Sequence, residues 1–358
     1  IGDFYYAPPT GFLALCTSNL PDVAVVPSEN MNTVLYTGNG STQNITGVGF
    51  QSDFIWTKQR SATRNHSLTD AVRGVTKNLA SDLNEAEGTV SNRITAFGSD
   101  GFSLGDGGYV NASSGTYVAW NWKAGNATLG TGDFTQGGIA STCSRNVDAG
   151  FSIVSYTGTN AAATVGHGLS SKPELILFKV RSEVINWAVY DFINGATNFM
   201  NLNATTATSA VTSVFNDTEP TNSVFTVGAN DIANKVSSTY IAYCFHSVDG
   251  YSKVGSYKGN GNADGSFVYT GFRPAWLLVK RTDDNGNWYT WDSKRGSYNV
   301  IGNRLYMDGT GAEATTPLAV DFTSNGFKWR DTNGGWNTSG DYIYLAFAET
   351  PFKYSNAR

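Results

Sequence analysis

Short apolar runs, some alternating with polar residues and some continuous, recur along the whole chain and are bounded by Gly, Asn, Asp and Ser. That is the pattern of strands separated by turns. In the middle of the chain it predicts strands over residues 151–156, 174–179, 187–191, 199–203, 224–227 and 240–246, and in the last third over 253–257, 276–281, 288–292, 304–307, 327–330 and 342–347. No stretch sustains a 3.6-residue period. The nearest, 79–87, falls where the other segments place a strand-bounding loop and predicts at most a short helical turn. About six strands per ~100 residues argue an all-β fold of antiparallel sandwich or jelly-roll units.

The same skeleton appears three times. The first copy runs Tyr36-Thr37-Gly38, Lys58, Asn65, Asp70, Gly74, Phe102, Tyr117; the second Tyr156-Thr157-Gly158, Lys179, Asn186, Asp191, Gly195, Phe225, Tyr240; the third Tyr257-Lys258-Gly259, Lys280, Asn287, Asp292, Gly296, Phe327, Tyr342. Lys to Asn is seven positions in each copy (65−58, 186−179, 287−280), Asn to Asp five, Asp to Gly four, and the late Phe to Tyr fifteen. Self-similarity at a long fixed period marks a tandem array. The expected organisation is a lead-in over 1–30, β-repeats over 31–125, 151–249 and 250–358, and a Gly/Thr-rich linker or arm over 126–150. With Pro8, Pro9 and Pro21, and Ile1 in place of Met, the lead-in is expected to follow a missing upstream domain.

Charge changes the picture by being scarce. Charged residues make up 15% of the 358, against about a quarter in an average soluble domain, and the net charge is −5. Solubility must come from Ser, Thr, Asn and Gly, as in extracellular and virion-surface β-proteins. No Lys/Arg-rich run offers a phosphate-tracking footprint, so nucleic acid is not the expected partner. No apolar run reaches the ~18 residues of a membrane span, and no signal peptide is visible. Cys16, Cys143 and Cys244 are odd in number and isolated, which excludes a disulfide framework and leaves one bridge or three free buried thiols.

The recurrent Lys58, Lys179 and Lys280, with Asp70, Asp191 and Asp292, could be acid–base pairs; because every copy has them, an inter-strand ion pair that the fold requires is the simpler reading. The recurrent Gly74, Gly195 and Gly296 are expected to supply positive φ. Distinctive function should lie where the copies differ. The third alone carries Trp288, Tyr289 and Trp291, then Trp336, beside Asp283 and Asp284, a composition suited to stacking on sugar rings; core or subunit interface is the preferred reading of these rings over a glycan site, and strand alternation already requires at least one ring to be core. Residues 283–287 miss the glycine of a calcium loop. His66, His167 and His246 lack metal-site spacing, so neither metal nor cofactor is expected. Carboxylates that could serve glycoside hydrolysis, Glu85, Glu87, Glu219, Glu313 and Asp321, lie in Thr/Ser-rich loops with no apolar setting to raise a pKa.

Three stretches carry a family resemblance: residues 2–21 (GDFYYAPPTGFLALCTSNLP), Asp70-Ala71-Val72-Arg73-Gly74, and residues 117–125 (YVAWNWKAG). They resemble a family of uncharacterised virion-associated proteins of marine bacteriophages, in which such repeats follow a SPRY-like, concanavalin-like domain. The resemblance covers nearly the whole chain, although DFING (191–195) and DSKRG (292–296) replace DAVRG in the later copies. It implies a structural protein on the virion surface, either tail fibre or tail-associated, or a capsid fibre or decoration protein. Such a protein would contact other virion proteins, form a homo-oligomer with a trimer favoured, and contribute to host attachment. It implies no catalytic residues. A lectin-like glycan-binding module is the alternative reading, and a glycan depolymerase a third.

Overall fold

The computed structural model describes residues 24–349, leaving most of the lead-in, Cys16 and the last nine positions of the third repeat outside it. The fold is all-β and antiparallel. One strand order appears three times, with an opening strand, then a closing strand, then two middle strands side by side. In the first unit these are Met31–Thr37, Thr116–Trp122, Phe54–Gln59 and Ser67–Asp70; in the second Phe151–Thr157, Thr239–Phe245, Leu175–Val180 and Ala188–Asp191; in the third Ser252–Gly259, Gly340–Ala348, Pro274–Arg281 and Trp288–Asp292. A smaller pair faces each main sheet: Gln43–Ile45 with Gly101–Leu104, Ala163–Gly166 with Val224–Val227, and Phe267–Tyr269 with Gly326–Trp329. In the third unit Ile301–Tyr306 and Ala314–Thr323 join the two into one eight-stranded sheet.

The units are not free-standing sandwiches. Successive side chains leave a strand on opposite faces, and here both faces are buried. Ile176 and Phe178 enter the second unit's own core, while Leu175 and Leu177 enter a central core; Leu277 and Val279 divide from Trp276 and Leu278 in the same way, as do Tyr240 and Ala242 from Ile241 and Tyr243. The central core draws on all three units, with Phe54 and Trp122 of the first, Phe151 and Tyr243 of the second, and Trp276 and Phe347 of the third. Phe54 stacks on Tyr243 at 4.3 Å and Trp122 meets Trp276 edge-on at 5.6 Å. Apolar residues therefore run continuously along these strands rather than alternating with polar ones.

Repeated residues do repeated work inside each unit. The opening and closing tyrosines stack at 5.1, 5.1 and 4.9 Å (Tyr36–Tyr117, Tyr156–Tyr240, Tyr257–Tyr342). A buried Asn before each closing strand, Asn111, Asn234 or Asn337, accepts from the backbone N–H of Asn39, Thr159 or Asn260. The glycine of each Tyr-x-Gly is needed because a Cβ there would overlap the carbonyl oxygen of Ala112, Lys235 or Thr338. Gly74 and Gly195 have φ of 92° and 74° as expected. Gly296 does not; its glycine is required because a Cβ would strike Ile301.

Two expectations change. Part of the 126–150 stretch is built into the second unit: Ser141–Asn146 pairs with Phe151–Thr157 as an edge strand, and Phe134, Ile139 and Cys143 enter that unit's core. Of the predicted strand 199–203, only Phe199 falls in a strand, Asn198–Phe199, which pairs with Ser209–Ala210. The 79–87 stretch is irregular loop. Cys143 and Cys244 are free and buried.

Candidate functional site

The ionisable residues that recur meet at the seams between units. Lys58 Nζ donates to Thr310 O of the third unit at 3.1 Å, Lys179 Nζ to Asn84 O of the first at 3.2 Å, and Lys280 Nζ to Thr205 O of the second at 3.1 Å. The contacts run first to third, second to first and third to second, so they close a ring. The acceptors lie in one equivalent loop of each unit (84, 205, 310). Burial lowers all three lysines to about 8, partly countered by Asp82 for Lys58, Glu85 for Lys179 and Asp308 for Lys280.

The same ring sets the residue that follows the recurrent Asn. Trp187 Nε1 donates to Ala80 O and Trp288 Nε1 to Asn201 O, both at 2.9 Å. In the first unit this place belongs to His66, whose Nε2 lies 2.9 Å from Tyr306 O and whose Nδ1 accepts from Trp56 Nε1 at 2.8 Å. Burial lowers His66 to about 4.

The expected Lys–Asp pairing is replaced by a different one. Asp70 and Asp292, both fully buried, pair at 2.5 Å with the arginine three residues on, Arg73 and Arg295. Each carboxylate also accepts from the next unit's closing strand, Asp70 from Tyr243 OH at 2.7 Å and Asp292 from Trp120 Nε1 at 3.0 Å. Burial opposes the charge on Arg73, but Asp70, Tyr243 and Glu87 outweigh it and raise its pKa. The lysine ammonium groups are instead spent on backbone carbonyls, one across the seam and the rest in their own unit.

Arginines and glutamates extend two of the three seams. Arg73 and Arg181 share Glu87 between the first and second units; Arg295 and Arg60 share Glu313 between the third and first. The seam between the second and third keeps Asp191 but has neutral residues where the others have arginines and glutamates. Asn194 replaces the arginine and donates to both oxygens of Asp191, Thr282 stands for Arg60 and Arg181, Thr208 for the glutamates, and Leu345 for Trp120 and Tyr243. The backbone correspondence is direct: Glu87 N, Glu313 N and Thr208 N donate to Arg181 O, Arg60 O and Thr282 O. Burial raises the Asp191 pKa, with Asn194 and backbone N–H groups opposing.

The aromatic residues Trp288, Tyr289, Trp291 and Trp336 of the third unit are internal, as the core reading has them, and form no glycan platform. Trp288 faces the central core, while Tyr289, Trp291 and Trp336 pack together in the third unit's core, 0–8% exposed. Asp283 and Asp284 stay on the surface, held by Arg281. The candidate carboxylates do not converge: Glu87 and Glu313 belong to different seams, Glu219 accepts from Tyr190 and Ala196 N, and Asp321 faces Arg330. Among the described residues no cluster of His, Cys, Asp and Glu is placed to hold a metal ion, and no helix is long and apolar enough to cross a membrane. The seam roles of Arg73, Arg295, Glu87 and Glu313 were missed at the sequence level, although the shared Asp-x-x-Arg-Gly of two copies was a signal.

Over residues 26–351 the chain matches one family model, described as a domain of unknown function (DUF7483). No curated protein matches it.

Proposed function

This chain belongs to the DUF7483 family, and from its architecture we propose that it is a structural protein on the surface of a bacteriophage particle, tail-associated or on the capsid, with a part in host attachment. The observation that carries the proposal is where the ionisable groups go. The three recurrent lysines, the arginines beside Asp70 and Asp292, and the glutamates they reach are consumed in seams that lock the units together. Such a design yields a stiff block with a low-charge exterior, suited to bearing load and presenting a surface. The resemblance of residues 2–21, 70–74 and 117–125 to marine phage virion proteins supports the same reading.

The test is the composition of the particle. Antibodies against the whole chain, applied as immunogold to intact purified particles, are expected to decorate their surface, on the tail or on the capsid. The protein should also appear among the particle's components by mass spectrometry. Finding it in infected cells but absent from purified particles would sink the proposal.

A further inference from the structure

The seam between the second and third units, which lacks those arginines and glutamates, opens to the surface in a cavity of about 370 Å³. Its position explains it. In the seam between the first and second units, Arg181 extends along the sheet edge and its Nη1 donates to Ser155 Oγ at 3.1 Å, while its other nitrogens hold Glu87. The residues equivalent to Arg181 and Ser155 are Thr282 and Ser256, and both line the cavity, as does Asn194 in place of Arg73. The void thus lies where an arginine runs in the other seams. Across the seam, Thr208, in place of the glutamate, has its Oγ1 buried without a hydrogen-bond partner.

The chemistry of the walls selects an occupant. Lys258 pairs with Asp341 at 2.6 Å and Arg281 with Asp283 at 2.8 Å, so each carboxylate lining the space already has its cation and the pocket has no uncompensated charge to draw an ion. The carboxylates keep free lone pairs and Lys258 keeps free N–H groups, set beside the Asn194 amide oxygen, whose nitrogen is held by Asp191, and the hydroxyls of Ser256 and Thr282. Adjacent acceptors and donors of this kind match the vicinal hydroxyls of a sugar ring, which both donate and accept. Ile193, 43% exposed, adds an apolar wall for the ring's C–H face. A pocket of this size lies within the range of small-molecule sites.

We propose that this cavity binds one neutral, hexose-sized sugar residue, held by Asp283, Asp341 and Asn194. The inference rests on the surface-protein reading only for what the sugar belongs to, a glycan of the host surface. It places recognition at a seam, away from the buried tryptophans.

The experiment is saturation-transfer NMR on the whole chain with glucose, galactose, mannose and N-acetylglucosamine, each at about 20 mM, well above the roughly millimolar Kd of a single-sugar site. At least one sugar should receive transfer. Thr208→Glu combined with Thr282→Arg restores the pair that fills the other seams and should abolish the transfer, and Asp341→Asn, at the exposed rim, should weaken it about tenfold with the fold intact by circular dichroism. Should the double variant fail to fold, the rim variant alone decides. The proposal is overturned by absence of transfer to all four sugars, by equal transfer in the variants, or by methylguanidinium binding where sugars do not. Particles that label with antibody while no sugar binds would remove the pocket and leave the virion role standing; sugar binding by a protein absent from particles would do the reverse.

Discussion

His66 occupies in the first unit the place that Trp187 and Trp288 take in the others, and the exchange introduces a titratable group into a seam. Held near 4 by burial against about 6.5 in an unfolded chain, its ring stays neutral where the unfolded chain would bind a proton. Stability is therefore lost as pH falls from about 6.5 towards 4, by up to roughly 3 kcal/mol. His167, also lowered by burial to about 4, acts in the same direction. Asp308, raised by burial to about 6, opposes them, since it keeps its proton in the native state and favours folding on the acid side. Urea denaturation at pH 7 and 4.5 should show a net acid loss that is smaller in His66→Gln; equal losses would remove His66 as the source. A lysine at a seam has a different role. Lys280→Met removes the side-chain donor to the Gly286 carbonyl and one of the two donors to the Thr205 carbonyl, which keeps the Gly286 N–H, and should cost about 1–3 kcal/mol, and a loss below about 1 kcal/mol in urea titrations would show that the ammonium does not hold the seam. The recurrence of these lysines was plain in the sequence, but their partners were not, because the acceptors are backbone carbonyls in another unit, and carbonyls leave no trace in residue type.

At the level of the element, the apolar runs located the four core strands of the second and third main sheets to within a residue or two, since those strands are buried on both faces and read as continuous hydrophobic segments. Strands with few apolar residues escaped: Ala163–Gly166, Ser141–Asn146 and Ser209–Ala210 are defined by partners distant in sequence rather than by composition. Aromatic clustering left a glycan site open beside the core reading for a related reason. Alternation placed Trp288 opposite Tyr289 and Trp291, but only the assembled ring shows that both faces are covered. The Tyr-x-Gly turns can be tested directly. Gly259→Ala drives a Cβ into the Thr338 carbonyl and should destabilise by more than about 3 kcal/mol or prevent folding. Gly108→Ala, where a Cβ meets nothing within 4 Å, should leave the thermal midpoint unchanged; similar midpoints for the two variants would contradict the close approach.

For the whole molecule, the shared central core predicts that the units do not fold alone. Residues 126–250 expressed by themselves would expose Leu175, Leu177, Trp187, Ile241, Tyr243 and Phe245, all buried in the intact ring, and should aggregate or remain unfolded. The full chain should melt in one transition with calorimetric and van't Hoff enthalpies in agreement. A soluble excised unit with dispersed NMR signals would refute the shared core. Of the three seams, the one lacking the arginine–glutamate pairs should open first, so hydrogen exchange at Thr208 N–H should exceed that at Glu87 and Glu313. The ring also bears on how such a seam could arise. Were a single repeat to self-associate as a trimer, any replacement would appear at every junction at once, because one gene would write all three. Joined in one polypeptide, the copies are free to drift apart, and a single junction can shed two arginines and a glutamate while its siblings keep the structure closed. Covalent linkage thus allows one corner of an otherwise uniform scaffold to specialise.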